Sequence, residues 1–383
     1  MPDIFVCGDV VHTEYRGGAL CGASLVREIQ AADLSVCNFE APIQGHGRPI
    51  IKAGPHLSQP REVISQLREE GFDLLLLANN HIMDYGEAAL GATLEAVGEQ
   101  GLGAIGAGED ADAAYRPVVQ EIDGVRIGMV NACEAQFGVL DLNAPKGAAG
   151  YGWINHPRLD RTVLELKRDC DFVLVFSHAG LEKWPIPQKE WRERYRHLCA
   201  LGADAVLGCH PHVPQGWEWW GDSLIVYSLG NFQFNRKRPA TGQSHHSYAV
   251  KLRLQRDRPM TFEPVFHHTE NGVVELSSAS ERIDLDALNR KLEPGEYEAR
   301  HEAMSLKTYH GRMAQRLARC SSKFPTDGTV TGTLRELAAT ALGRRRGRVD
   351  RNILMLHTLR NEAFYYAVRH ALEIIRRDGN QRL

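Results

Sequence analysis

The chain has 383 residues, of which 43% are hydrophobic and 24% are charged, and its formal net charge is −3. This composition is ordinary for a soluble globular protein, and the charge excludes a nucleic-acid binder that depends on bulk positive charge. The length suits either one large domain with an appendage or two ordinary domains, and it allows a sizeable core.

The eight cysteines contain no C-x-x-C pair, and most lie in apolar runs such as "IFVCGD". We therefore interpret them as buried thiols of a reducing compartment, and not as disulfides or a zinc finger. The amino terminus shows no basic region followed by an apolar stretch, and no apolar run approaches about 18 residues. These features predict a cytoplasmic protein that does not span a membrane.

Short apolar runs alternate with helical patterns over the first 230 residues, which is typical of strand–helix–strand units in an α/β sheet. Strands are predicted at 3–8, 33–37, 73–77, 102–105, 126–131, 171–176, 204–207 and 224–227. Helices are predicted at 60–71, 86–100, 157–169 and 188–202. Polar and apolar residues then alternate over 247–268, which indicates antiparallel strands that close a sheet.

The chain becomes helical after about residue 280, so we expect a core domain at 1–275 and a helical C-terminal extension at 276–383. In the segment 352–377, helical spacing relates Leu356, Leu359, Ala363, Ala367, His370 and Ile374. Over 344–383, ten arginines face four acids, a net charge of +6, and the run "GRRRGR" occupies 343–348. That run is either a solvated basic segment or a site for an anionic polymer or phosphate. The C-terminal helices could also mediate oligomerisation.

Polar side chains follow six of the predicted strands, where ligands bind in open α/β sheets. Taken singly, each has an ordinary explanation: Asp9 could cap a turn, and His178 could be a core histidine. Taken together, they would place carboxylates side by side, which is costly without cations. The set predicts a metal site, and its members are Asp9, His12, Asn38, Glu40, Asn79, Asn80, His81, Asp84, His178, Glu182, His210, His212 and Asn231.

The donor types narrow the choice of metal. Oxygen and nitrogen donors suit Mn, Fe, Zn or Co better than calcium, and the mixture is typical of two-metal hydrolytic centres. Cys209 alternates with its histidine neighbours along an extended chain, so we expect it to pack inside the protein and not to bind a metal. We expect Pro211 to set His210 and His212 on alternate sides of an extended turn.

Seven motifs resemble the CapA family of poly-γ-glutamate capsule biosynthesis proteins, which are similar to calcineurin-like metallophosphoesterases. They are "CGDVV", "CNFEAPI", "LANNHIMDYG", "GAG", "SHAGLE", "GADAVLGCHPHVPQG" and "YSLGNFQFN", and the resemblance covers about residues 3–268. It implies a four-layer α/β/β/α sandwich of the metallophosphoesterase type, to which the C-terminal helices are an appendage.

The resemblance also implies roles for individual residues. It makes Asp9 a ligand of the first ion, Glu40 a bridging ligand and His81 a catalytic histidine that binds no metal. The remaining implied metal ligands are Asn80, His178, His210 on the second ion and His212 on the first. We expect Asp84 to orient His81, although an aspartate at a helix start has an ordinary capping role as well. We expect substrate contacts from His12, Asn38, Asn79, Glu182 and Asn231.

Two departures from the metallophosphoesterase pattern stand out. The first strand carries Asp9-Val10-Val11-His12 where Asp-x-His is usual, so His12 is expected to point away from the first ion. Glu40 replaces an aspartate in the second motif, which alters the geometry of the bridge.

The expected function is hydrolysis with two divalent transition metal ions, Mn, Zn or Fe, acting on an anionic small molecule or polymer. The bond would be a phosphoester or, since a metal-activated water is not selective for phosphorus, an amide or ester as in a γ-glutamyl polymer. A different class remains open: a non-catalytic component that binds or assembles a capsule or envelope polymer. No nucleic acid is expected as a partner.

Overall fold

A computed structural model describes residues 1–235, 245–256, 258–321, 330–342 and 351–380. Its strands are, in chain order, β1 Asp3–His12, β2 Leu34–Phe39, β3 Leu74–Leu76, β4 Gly103–Ile105, β5 Ala107–Gly108, β6 Val118–Ile122, β7 Val125–Cys133, β8 Val139–Leu140, β9 Gly150–Gly152, β10 Phe172–His178, β11 Ala205–Cys209, β12 Trp217–Trp220, β13 Ser223–Val226, β14 Asn231–Asn235, β15 His246–Arg253, β16 Thr261–Glu270 and β17 Val273–Leu276.

Its helices are α1 Ala23–Gln30, α2 Glu62–Glu69, α3 Glu87–Glu99, α4 Ala111–Ala114, α5 Pro157–Asp169, α6 Lys189–Ala200, α7 Leu285–Arg290, α8 Glu296–Thr308, α9 Ala314–Ser321, α10 Val330–Ala341, α11 Arg351–Arg360 and α12 Glu362–Asn380. A π-helical turn, Tyr309–Met313, joins α8 to α9. All eight strands and four helices predicted from the alternating patterns are present.

Two sheets form the core. The first has the order β17-β16-β15-β1-β2-β3-β4, with β14 also beside β1. Strands β1 to β4 run parallel, while β15 to β17 are antiparallel, as the pattern over 247–268 predicted. The second sheet has the order β12-β13-β11-β10-β7-β6. Its central strands are parallel, so their carboxyl ends lie at one edge.

The sheets pack face to face and helices cover their outer faces. Apolar side chains from both sheets fill the space between them, among them Val36 and Leu174. Leu67 of α2 belongs to the cluster on the outer side of the first sheet, and Trp191 of α6 to the one outside the second. This is the four-layer α/β/β/α sandwich that the resemblance implied, because each sheet buries one face on its partner and the other on helices.

The C-terminal helices extend the outer helical layer of the second sheet. Met304 of α8 and Ala367 of α12 belong to the same apolar cluster as α6. The helical spacing over 352–377 is interrupted at Asn361, whose side chain accepts a hydrogen bond from Phe364 N at 2.8 Å and caps α12. As a result Leu359 faces solvent and is 60% exposed. The basic run at 343–348 lies outside the described residues.

All eight cysteines are free, and six of them are buried. Cys209 packs between the two sheets, as predicted. Across the described residues, no helix has both the length and the apolar character needed to cross a membrane.

Candidate metal centre

Strands from both sheets end at one edge of the sandwich and bring their polar residues together there. Asp9 lies at a register shift in β1, and Glu40 directly follows β2. From the second sheet, His178 ends β10 and His210 follows β11. All four are at most 1% exposed, so the chain has buried two carboxylates against two imidazoles.

These side chains form two overlapping groups of possible metal ligands. Asp9, Glu40 and His212 make one group, while Glu40, His178 and His210 make the other. Within each group the ligand atoms all lie within 4.8 Å of one another. Glu40 belongs to both groups, and the bridging role that the resemblance implied for it stays a prediction.

The distances place Glu40 between the groups. Its Oε1 atom is 4.0 Å from His178 Nε2 and also 4.0 Å from His212 Nε2. His178 Nε2 is in turn 3.0 Å from His210 Nδ1, and 3.1 Å from the Oδ1 atom of Asn80. The six residues that sequence analysis assigned to metal binding are therefore adjacent in the structure, Asn80 at the group that contains His178.

The electrostatics of the cluster fit a cation. Burial lowers the pKa of His212, yet the carboxylates of Glu40 and Asp9 outweigh it and raise the pKa to about 10. Burial lowers the pKa of His210 to about 4. Two buried carboxylates thus favour a positive charge at their centre, and a divalent cation would supply it, so the donor set fits such an ion.

The backbone is strained where these ligands are presented. Positive φ angles occur at His210 (94°), His212 (57°) and Ala41 (112°), which directly follows Glu40. Such angles are unusual for residues other than glycine, and strain of this kind concentrates at functional sites. The expectation of an extended turn around Pro211 was wrong, because both histidines adopt left-handed backbone conformations.

Two asparagines hold the ligands in place. Asn38 Nδ2 donates to Asp9 Oδ1 at 2.8 Å and lies 3.2 Å from His178 Nδ1. Asn231 Oδ1 is 3.0 Å from His212 Nδ1. These contacts orient ligands, so Asn38 and Asn231 have a positioning role in the structure. The substrate contact that we expected for them stays a prediction.

Two other predicted contact residues have partners away from the ligand groups. Asn79 Nδ2 donates to Phe39 O at 2.9 Å, and its Oδ1 accepts from His81 N, so it shapes the loop after β3. His12 Nε2 lies 3.3 Å from Asn235 Nδ2, and its ring packs edge-on against Tyr15. The structure does not bring His12 into the metal-ligand groups, in line with the extra residue in its motif.

His81 lies beside the ligand groups without belonging to them. Its Nε2 atom is 3.9 Å from Glu40 Oε1, and its Nδ1 atom is 2.7 Å from Asp84 Oδ2. Asp84 also pairs with the Lys52 ammonium group, a partner that sequence analysis missed. Burial raises the pKa of Asp84, but His81 and Lys52 outweigh it and hold the pKa below its usual value.

Asp84 is therefore an ionised acceptor for the His81 ring. The alternative role at a helix start is not observed, because α3 begins at Glu87 with Gly86 as its cap.

A cavity opens beside these residues. It is lined by Asn80, His81, Glu182 and His212, with Lys52 on the same wall as His81. Loss of hydration raises the pKa of the Glu182 carboxyl, but the neighbouring histidines and Arg312 outweigh it and lower the pKa. Glu182 thus lines the cavity, and its contact with a substrate stays a prediction.

The sequence matches a protein-family model over residues 3–236, which is more than half of the chain. That family is described as "Bacterial capsule synthesis protein PGA_cap". The chain belongs to this CapA family.

Two CapA relatives are about a third identical to this chain over the aligned residues. The "Capsule biosynthesis protein CapA" of Bacillus anthracis is 33% identical over 206 residues, 52% of this chain and 50% of the relative. The "PGA biosynthesis protein CapA" of Bacillus subtilis is 33% identical over 259 residues, 66% of this chain and 65% of the relative. The chain thus spans between half and just under two thirds of these relatives. A solved structure of the sulfate thiohydrolase SoxB from Thermus thermophilus is 13% identical, with a TM-score of 0.37, and covers 70% of this chain and 44% of that one.

Sequence analysis of this CapA-family chain missed Glu134. The residue directly follows β7 and is fully buried, and its Oε1 atom lies 3.7 Å from His210 Nε2. Burial raises its pKa to about 8, although the Gly180 N–H donates to its Oε2 atom at 3.0 Å. The rule that located the other polar residues would have found it, because Glu134 also stands just past a strand end.

A second group of possible ligands lies away from this CapA-family centre, where α6, α8 and α12 meet. It contains Glu190, His301 and His370. Glu190 Oε1 already lies 2.8 Å from His370 Nε2 and accepts a hydrogen bond from Arg369 at 2.6 Å. The group therefore acts as a charged contact that fastens α12 to α6.

Proposed function

We propose that the chain is a metal-dependent hydrolase of the CapA family that holds two divalent transition metal ions and cleaves a phosphoester or amide bond in capsule or envelope-polymer metabolism. The observation that carries the proposal is the place of Glu40 in both ligand groups. The family match and the capsule biosynthesis names of the Bacillus relatives support the link to capsule polymers.

The ligand groups divide between two ions. Asp9, Glu40 and His212 would hold the first, and Glu40, Asn80, His178 and His210 the second. Ions bound there would supply an activated water at neutral pH and would withdraw charge from the bond that is cleaved. Asn38 and Asn231 keep the ligands oriented through their contacts to Asp9 and His212.

His81 supplies proton transfer. An ionised carboxylate only accepts hydrogen bonds, so Asp84 fixes the proton of His81 on Nδ1. The Nε2 atom lies 3.9 Å from Glu40 Oε1 on a ring that lines the cavity, where it can take up a second proton, which the Asp84 carboxylate stabilises, and pass it to a leaving group. A protein that only bound a polymer would need no such oriented histidine, and this favours an enzyme over a binding component.

A substrate panel with metal-loaded protein tests the proposal. The probes are p-nitrophenyl phosphate, bis(p-nitrophenyl) phosphate and a γ-glutamyl tetrapeptide, each assayed with Mn and with Zn. We expect metal-dependent turnover of at least one probe, with kcat lower by roughly 10²–10⁴ in His81→Ala. A fully loaded centre that turns over none of the probes would contradict an enzymatic role and leave polymer binding as the function.

A further inference from the structure

One wall of the cavity comes from the C-terminal helices. Arg312 from the π-helical turn, Arg316 from α9, His357 from α11 and Phe364 from α12 line the same space as His81 and His212. The family match ends at residue 236, so this wall lies beyond the part of the chain that the family model describes. The chain therefore completes its cavity with residues of its C-terminal segment, which lies outside the match to the family model.

The two arginines are held in place by one aromatic ring. The Cζ atoms of Arg312 and Arg316 lie 4.9 Å and 5.5 Å from the centre of the Phe364 ring. Met313, fully buried, anchors the π-helical turn in the apolar cluster beneath it. Such turns are rare and concentrate at functional sites, because they change which side chains share a helix face.

The acid that shares this cavity with the two arginines is Glu182, and Arg312 is near enough to help lower the pKa of its carboxyl. Within the described part of the chain, no ion pair joins Arg312 or Arg316 to a carboxylate. The Nη1 atom of Arg316 is buried and has no hydrogen-bond partner there. Burial, with Arg312 nearby, lowers the pKa of Arg316 to about 10. Arg312 is exposed, whereas Arg316 is partly buried with one N–H group that lacks a partner, so a cost for folding falls on Arg316, and an anionic ligand would offset it.

A neutral imidazole adds a further hydrogen-bonding group to the wall. The His357 ring stacks on Phe137 at 5.6 Å, and its Nδ1 atom is buried without a partner in the described residues. Burial and the two nearby arginines lower the pKa of His357 to about 3, so the ring is neutral at physiological pH. The Lys52 ammonium group on the same cavity is already paired with Asp84.

We propose that Arg312 and Arg316 bind an anionic group of the substrate, a carboxylate or a phosphate, adjacent to the bond that is cleaved. The inference rests on the proposed function, since it assigns part of the substrate of the same site. A guanidinium group binds either kind of oxyanion through paired N–H donors, and burial strengthens such bonds. The site would thereby select substrates with a second negative charge over neutral ones.

Calorimetric binding to Mn-loaded protein tests the inference without any need for turnover. The probes are a γ-glutamyl tetrapeptide and inorganic tripolyphosphate, which separate a carboxylate source from a phosphate source. The variants are Arg312→Gln/Arg316→Gln and, as a matched control, Arg319→Gln, an exposed arginine of α9 that does not line the cavity. A third variant, Arg316→Lys, keeps the charge and removes the paired donors.

We expect at least one probe to bind the wild type, and the double variant to weaken that binding by at least about tenfold. Arg319→Gln should bind as the wild type does, and Arg316→Lys should lie between. Equal binding by the wild type and a folded double variant, or binding of neither probe to the wild type, would overturn the inference. Failure of the proposed function appears separately, as absence of metal-dependent turnover by wild-type protein.

Discussion

The Nδ1 atom of His81 lies 2.7 Å from the Oδ2 atom of Asp84, and both side chains are buried beside the metal-ligand groups. Asp84 Oδ2 also accepts a hydrogen bond from Leu57 N at 2.7 Å, so a second contact, independent of His81, orients the carboxylate. Asp84 thus orients His81 next to Glu40, and His81 belongs to neither ligand group.

Replacement of Asp84 by Asn should lower turnover by about tenfold or more, while metal content stays unchanged. The amide can donate to His81 Nδ1 and so favours the tautomer with its proton on Nε2, which reverses the role of the ring. Steady-state kinetics on the active probe of the panel measure the effect. Asp222→Asn, in the exposed turn between β12 and β13, is the matched control. Equal rates for Asp84→Asn and its control would remove Asp84 from the mechanism.

The start of α12 should prove essential for docking the C-terminal helices. Glu362 Oε2 accepts hydrogen bonds from Ala135 N at 2.6 Å and Trp153 Nε1 at 3.0 Å, and Oε1 accepts one from Asn155 at 2.8 Å. Glu362→Ala leaves these donors without a partner and should lower the free energy of unfolding by about 2–4 kcal/mol.

Denaturant unfolding and protease sensitivity of the C-terminal segment measure this loss. Glu373→Ala, on the same helix with a side chain 60% exposed, should change stability little. Equal stability of Glu362→Ala and Glu373→Ala would contradict a role of Glu362 in docking the C-terminal helices.

His267 should make stability depend on pH independently of the metal centre. Burial lowers its pKa to about 3, and neither ring nitrogen has a hydrogen-bond partner among the described residues. The unfolded chain binds a proton near pH 6.5 and the folded chain does not, so stability falls as the pH drops below that value. Between pH 6.5 and 5 the loss from this residue is about 2 kcal/mol.

Melting temperatures at pH 7 and pH 5 test the prediction. His267→Leu should show a smaller fall than the wild type, because it has no proton to take up on unfolding. His46→Gln, an exposed histidine, should follow the wild type. An unchanged fall in His267→Leu would show that His267 does not contribute to the acid sensitivity.

Strand ends made the centre predictable from sequence. Glu40, His178 and His210 each stand at or just past the end of a buried strand, and parallel strands carry such residues to one edge. Asp9 follows the predicted strand 3–8 but lies at a register shift inside the longer β1. Glu134 fits the same rule because it directly follows β7, which runs to Cys133, beyond the predicted end at residue 131. The positive φ angles at His210 and His212 were not predictable from local sequence, and the contact of His210 N with Asp9 Oδ2 joins segments that are 201 residues apart.

The sequence did not predict that the C-terminal helices form one wall of the cavity. Whether Arg312 and Arg316 face the metal-ligand groups or solvent depends on how the C-terminal helices dock. Helical spacing shows which face of a helix is apolar, but not which surface of the core that face packs against. Similarly, the pattern over 352–377 did not show the break at Asn361, which comes from a capping contact. The shortest strands, such as β5 with two residues, are too brief for any alternation to show.

The metal content of purified, Mn- or Zn-loaded protein tests the central claim most directly. Elemental analysis should give about two ions per chain for the wild type and for Glu121→Gln, an exposed control, as expected for a two-metal centre. Glu40→Gln should lose both ions, because Glu40 belongs to both ligand groups. A wild-type chain that binds one ion or none after loading, or a Glu40→Gln chain that keeps both, would contradict a centre bridged by Glu40.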